Sequence, residues 1–116
     1  MKQFRILHVD DDALMRDIVE LALAFEPGFA LMTCESGGEA LKLAPEWAPD
    51  LILCDYLMPD MDGPAVMAAL RHDGRTAKIP VIMMTARANA DDVDRLMQLG
   101  AFSVIAKPFD PKTLAE

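Results

Sequence analysis

Four short runs of this chain each stop at a residue that can do chemistry. Ile6-Leu7-His8-Val9 runs into Asp10-Asp11-Asp12, and Leu51-Ile52-Leu53-Cys54 runs into Asp55. The run that closes at Met84 is followed by Thr85, and Ser103–Ala106 is followed by Lys107. Carboxylates gathered within a few ångströms repel one another, which raises their pKa values. A hard divalent cation removes that cost. Mg2+ suits such a group because it takes oxygen ligands in near-octahedral geometry and keeps several waters. With Asp10, Asp11 and Asp55 ionised the group carries −3; Lys107 brings it to −2 and Mg2+ to 0. A neutral site accepts a phosphoryl group that the bare one would reject. An aspartate can attack phosphorus to give an aspartyl phosphate. The transition state then needs positioning and charge neutralisation, which Mg2+ and Lys107 supply. The Thr85 hydroxyl can donate to a phosphoryl oxygen.

These residues reach one place only if the runs are neighbouring parallel strands. The pattern predicts that. After Ile6–Val9, the spacing of Leu14, Ile18, Leu21 and Phe25 predicts a helix from Ala13 to Phe25, stopped by Pro27-Gly28. Phe29–Cys34 reads as a strand, then a helix opens at Ser36 or Gly37 and is closed by Pro45. Leu51–Cys54 is continuously apolar, as in a strand covered on both faces. A helix from Gly63 to about His72 turns Val66, Met67 and Leu70 inward. A strand over Pro80–Met84, a helix over Ala90–Leu99 ended by Gly100, and a strand over Ser103–Ala106 follow. A last helix begins at Pro111, a residue suited to a first turn, and reaches Glu116 after only about two turns. Alternating strands and helices imply an α/β fold, a doubly wound parallel sheet with helices on both faces. Ligands of such sheets bind outside the carboxyl ends of the strands.

Composition narrows the classes. The 116 residues fit one domain with its own core, and 53% hydrophobic with 26% charged residues is globular. The net charge of −8 repels nucleic acid, so direct DNA binding by this segment is not expected. No apolar run approaches the roughly 20 residues of a membrane helix, and Met1–Arg5 lacks the pattern of a signal peptide, so the chain reads as cytoplasmic. Cys34 and Cys54 lie in apolar runs and read as buried reduced thiols. Asp12 reads as a helix cap, Asp60 and Asp62 as loop residues, His8 as a structural strand histidine and His72 as surface at a helix end. Trp47 is expected to pack under a loop.

The motifs Val9-Asp10-Asp11, Asp55 to Gly63, Met84-Thr85-Ala86 and Lys107-Pro108-Phe109 resemble, in order and spacing, those of receiver domains of two-component response regulators. The resemblance runs from about Phe4 to Glu116. It implies a flavodoxin-like five-stranded parallel sheet of order 2-1-3-4-5, here with a short or truncated last helix. Asp55 is then the phosphorylation site. Asp10, Asp11, Asp55 and the backbone carbonyl of Leu57 hold Mg2+, Thr85 is the switch hydroxyl, and Lys107, with a cis bond to Pro108, contacts the phosphate. The resemblance also implies a sensor histidine kinase or phosphotransfer protein as donor, and a downstream output domain or partner. Residues 1–116 then form one receiver, either free-standing or the N-terminal part of a longer response regulator. Its chemistry is self-catalysed phosphorylation and dephosphorylation, not turnover of a substrate.

One position departs from the pattern. Three residues before the lysine the family usually has Tyr or Phe; here it is Val104, which is short and stiff at χ1. Activation is therefore expected to run through residues 86–90 and the following helix, changing the surface around the fourth helix and fifth strand. The short last helix leaves apolar surface there for pairing with a second copy. The alternative is a phosphohydrolase of the haloacid-dehalogenase kind, which needs an acid/base Asp two residues after its nucleophile. Leu57 occupies that position.

Overall fold

The computed structural model describes residues 3–24, 26–85 and 90–106. Phe25, residues 86–89, Lys107 and its bond to Pro108, and the helix expected from Pro111 lie outside the described residues. Five strands, β1 (Phe4–Val9), β2 (Phe29–Cys34), β3 (Leu51–Asp55), β4 (Val81–Thr85) and β5 (Ser103–Ala106), form one parallel sheet of order β2-β1-β3-β4-β5. The helices α1 (Ala13–Leu23), α2 (Gly37–Trp47), α3 (Gly63–Arg71) and α4 (Ala90–Gln98) alternate with them. This is the doubly wound order read from the motifs. Asp55 and Thr85 are themselves the last residues of their strands.

The helices start where side chains can satisfy their open backbone donors. Asp12 caps α1 by accepting from Leu14 N–H (2.9 Å), as expected. Ser36 caps α2 by accepting from Glu39 N–H (3.2 Å), and Asp62 caps α3 through Ala65 N–H (2.9 Å). Helix α4 ends in a left-handed glycine, Gly100 (φ 110°). Around it Ala101 N–H donates to Leu96 O (3.0 Å), the reverse turn that Gly permits at low cost.

Two details of the expected elements change. Helix α1 buries Met15, Val19 and Leu23, whereas Leu14 and Leu21 face solvent. The two apolar stripes of α1 are offset by one residue, and sequence periodicity alone does not say which one meets the sheet. Helix α2 runs through Pro45 to Trp47 and ends at Ala48 in a left-handed conformation (φ 54°). Proline removes one donor, but the last turn is held from outside. Arg5 Nη1 donates to Trp47 O (2.6 Å), and its guanidinium lies 5.7 Å from the centre of the Trp47 ring.

The sheet separates two packed layers. Leu7, Val9, Ile52, Cys54, Val81 and Met83 meet α2 and α3, whose Val66, Met67 and Leu70 point inward as expected. Ile6, Leu53 and Met84 meet Val19 and Leu23 of α1. Cys34 and Cys54 are buried free thiols. Burial pushes the Cys34 thiol up to about 12, and pushes Cys54 up as well.

Candidate functional site

The strand register fixes what lies together at the carboxyl edge. Val9 is level with Cys54, so Asp10 and Asp55 follow side by side. Asp55 is level with Met84, which puts Thr85 one residue further on the next strand. Ligand oxygens of Asp10, Asp11 and Asp55 lie within 4.8 Å of one another. Asp10 is 0% exposed and Asp55 6%, while Asp11 opens to solvent. At that separation two ionised buried carboxylates repel by roughly 3 kcal/mol at an effective dielectric constant of about 20. Three oxygen-only donors with that repulsion make a group that could hold a hard cation.

Asp10 is held firmly. Its N–H donates to Cys34 O (3.1 Å), its Oδ1 accepts from Asp12 N–H (3.0 Å), and its carbonyl accepts from Arg16 Nη1 (2.7 Å). Thr85 is buried at the end of β4. Leu57 lies in the loop after β3 with its side chain 73% exposed. β5 ends at Ala106, level with Thr85, and Lys107 follows in sequence, outside the described residues.

Several residues that the sequence reading left as loop or filler hold this loop in place. The Asp60 carboxylate accepts from Gly38 N–H (3.0 Å) and Gly37 N–H (3.3 Å), tying the β3–α3 loop to the start of α2. These bonds, that of Gly38 first, hold the Asp60 carboxyl below its ordinary range. Gly63 N–H donates to Tyr56 O (2.8 Å), and a Cβ on Gly63 would stand 2.9 Å from Asp55 O and 2.7 Å from Met83 Sδ. Only glycine lets α3 start this close to the end of β3. Arg95 of α4 donates to the Tyr56 hydroxyl, which links α4 to the residue after Asp55. The spacing Ser36-x-x-Glu39 and the residue pair Asp62-Gly63 carried the capping signals. Nothing in the sequence announced the Asp60 or Arg95 contacts, which join segments more than twenty residues apart.

Residues 6–116 match the family model described as the response regulator receiver domain. The chain is 37% identical over 110 residues to the "Probable transcriptional regulator ycf27" of Guillardia theta, covering 95% of this chain and 42% of that protein. It is 39% identical over 106 residues to the "DNA-binding dual master transcriptional regulator RpaA" of Synechocystis, covering 91% and 44%. It thus spans less than half the length of these two relatives. Among solved structures it is similar to the chemotaxis response regulator CheY4 of Vibrio cholerae, with a TM-score of 0.90 and 30% identity over 98% of this chain and 94% of that one. A response regulator from Chloroflexus aurantiacus aligns with a TM-score of 0.88 and 32% identity, over 98% and 93%. Receiver domains are signalling switches rather than enzymes with a substrate of their own, and no helix of the described residues is long and apolar enough to cross a membrane. Sheet order, acidic edge and family match agree: the chain belongs to the response regulator receiver domain family.

Proposed function

We propose that Asp55 accepts a phosphoryl group from a phosphohistidine of a sensor histidine kinase or phosphotransfer protein. The observation that carries this reading is the convergence of Asp10, Asp11 and Asp55 oxygens within 4.8 Å at the ends of β1 and β3. Asp10, Asp11, Asp55 and the Leu57 carbonyl would hold Mg2+. When bound, Mg2+ neutralises the carboxylates and the developing phosphoryl charge. An Asp55 oxygen attacks phosphorus, the P–N bond to the donor histidine breaks, and the imidazole leaves with the electron pair. The Thr85 hydroxyl donates to a phosphoryl oxygen, and Lys107 supplies a further positive charge. Leu57, two residues after Asp55, would hinder in-line water, giving a phosphate longer-lived than in receivers with a small polar residue there.

The added charge of about −1.5 to −2 draws Thr85 toward the phosphate, and the residues that follow it in sequence with it. With Val104 in place of an aromatic, the change passes to α4 and β5. The Arg95–Tyr56 contact supports this route, because it ties α4 to the residue next to the acceptor. Met97, Leu99 and Phe102, exposed at the end of α4 and just before β5, offer the apolar side chains through which this surface would meet a partner or a second copy. The two named relatives are longer transcriptional regulators, so we place residues 1–116 as a receiver at the front of such a chain, with the output elsewhere. The test is intact mass after incubation with a small-molecule phosphodonor and Mg2+. One phosphoryl group on the parent and none on Asp55→Asn is expected; equal uptake by both refutes the assignment.

A further inference from the structure

His8 is fully buried, two residues before Asp10 on the central strand β1. By strand alternation it shares the α1 side of the sheet with Ile6, and it is level with Leu53. An apolar side chain would suit that layer better. Neither His8 ring nitrogen has a hydrogen-bond partner among the described residues, a costly state for a buried polar group. Its Nε2 lies 3.6 Å from Asp10 Oδ2, a few tenths of an ångström beyond a hydrogen bond. The other carboxylate oxygen, Oδ1, already accepts from Asp12 N–H (3.0 Å). Asp10 is thus gripped at one oxygen and faced by a ring nitrogen at the other.

We propose that His8 is a positioning residue for the cation site: its Nε2, 3.6 Å from Asp10 Oδ2, closes to donate Nε2–H when the carboxylate engages a cation and so fixes the plane of that carboxylate. The inference rests on the reading that Asp10, Asp11 and Asp55 hold Mg2+. Carboxylates at metal sites are oriented by hydrogen bonds from behind, and loss of such a partner typically weakens binding by about 10- to 100-fold. A two-point grip lowers the ordering cost of binding, because Asp10 cannot swing away from the group. It also explains a histidine in an apolar layer where leucine would pack without an unmet polar atom.

The test uses the 116-residue chain, Mg2+ alone as ligand, and His8→Leu beside His8→Gln. Leucine removes the donor and keeps the bulk; glutamine keeps an N–H donor near the place of Nε2. Calorimetric Mg2+ titration should show affinity weakened about 10-fold in His8→Leu and largely restored in His8→Gln. The melting midpoint of His8→Leu in EDTA should equal or exceed that of the parent. Nitrogen-15 NMR of the parent should find the proton on Nε2, with its resonance shifting as Mg2+ is added. Parental Mg2+ affinity in His8→Leu overturns the inference while leaving the site reading intact. Equal weakening in both variants together with lowered melting overturns it in favour of a packing role. Failure of the parent to bind Mg2+ overturns the site reading and this inference with it.

Discussion

The loop after β1 and the loop after β3 both leave the carboxyl edge of the sheet carrying acids, Asp10, Asp11 and Asp12 in one and Asp60 and Asp62 in the other. In the first loop only Asp12 faces a helix start, and it caps α1. Asp10, whose Oδ1 also accepts from Asp12 N–H, and Asp11 stand beside Asp55, with ligand oxygens of the three within 4.8 Å of one another. In the second loop both acids are spent on backbone N–H groups: Asp60 on Gly37 and Gly38, Asp62 on Ala65. An acid followed within two or three residues by a helix start finds donors there and becomes a cap. An acid directly at the end of a central parallel strand meets its neighbours from the adjoining strands instead. The first loop makes a charge problem that a cation can solve; the second holds the backbone that frames it.

Substitutions can separate these two jobs. The largest effect should come from Asp11→Ala, which should weaken Mg2+ binding by on the order of 10- to 100-fold or more while leaving the thermal melt in EDTA unchanged or raised. Calorimetric titration of Mg2+ measures it. If Asp12→Ala loses Mg2+ and Asp11→Ala does not, the roles within the triplet are reversed. Next, Gly63→Ala should destabilise the fold by about 1–3 kcal/mol, since its Cβ meets the backbone oxygen of Asp55 and the side chain of Met83. Urea unfolding reads this directly, and an unchanged midpoint would mean that α3 can shift without cost.

The caps should give smaller and purely structural effects. Asp12→Ala and Asp62→Ala should each cost about 1 kcal/mol in urea unfolding and leave Mg2+ affinity close to that of the parent. Asp60 adds a pH signature. Its folded pKa is lowered by the Gly38 and Gly37 N–H groups, so the stability it contributes is present above the ordinary carboxylate range. That contribution disappears as the pH falls through the lowered folded value. The gap in stability between parent and Asp60→Asn should therefore be widest near neutral pH and close in acid. A gap that grows in acid would contradict the proposed bonding.

The placement of Asp10, Asp11, Asp55 and Thr85 was legible because each closes an apolar β run, and parallel neighbours bring run ends to one edge; the sheet order came from the resemblance of the motifs to receiver domains. The helix face of α1 was not legible. Leu14 and Leu21 lie on one apolar stripe and Met15, Val19 and Leu23 on another, and only the packed sheet chooses between them. Pro45 misled because the contacts that keep α2 going beyond it come from Arg5, forty residues away. The long-range uses of Asp60, Arg95 and His8 were hidden for the same reason: a side chain's partner across the fold leaves no local pattern.

Locating the phosphoryl group within the chain tests the role of Asp55 without intermediaries. The protein would be treated with a small-molecule phosphodonor, once with Mg2+ and once with EDTA, then digested and mapped by mass spectrometry. One modified peptide is expected, with the group on Asp55, and only when Mg2+ is present. Modification on Asp60, Asp62 or a histidine, or equal modification of Asp55 in EDTA, would contradict that role.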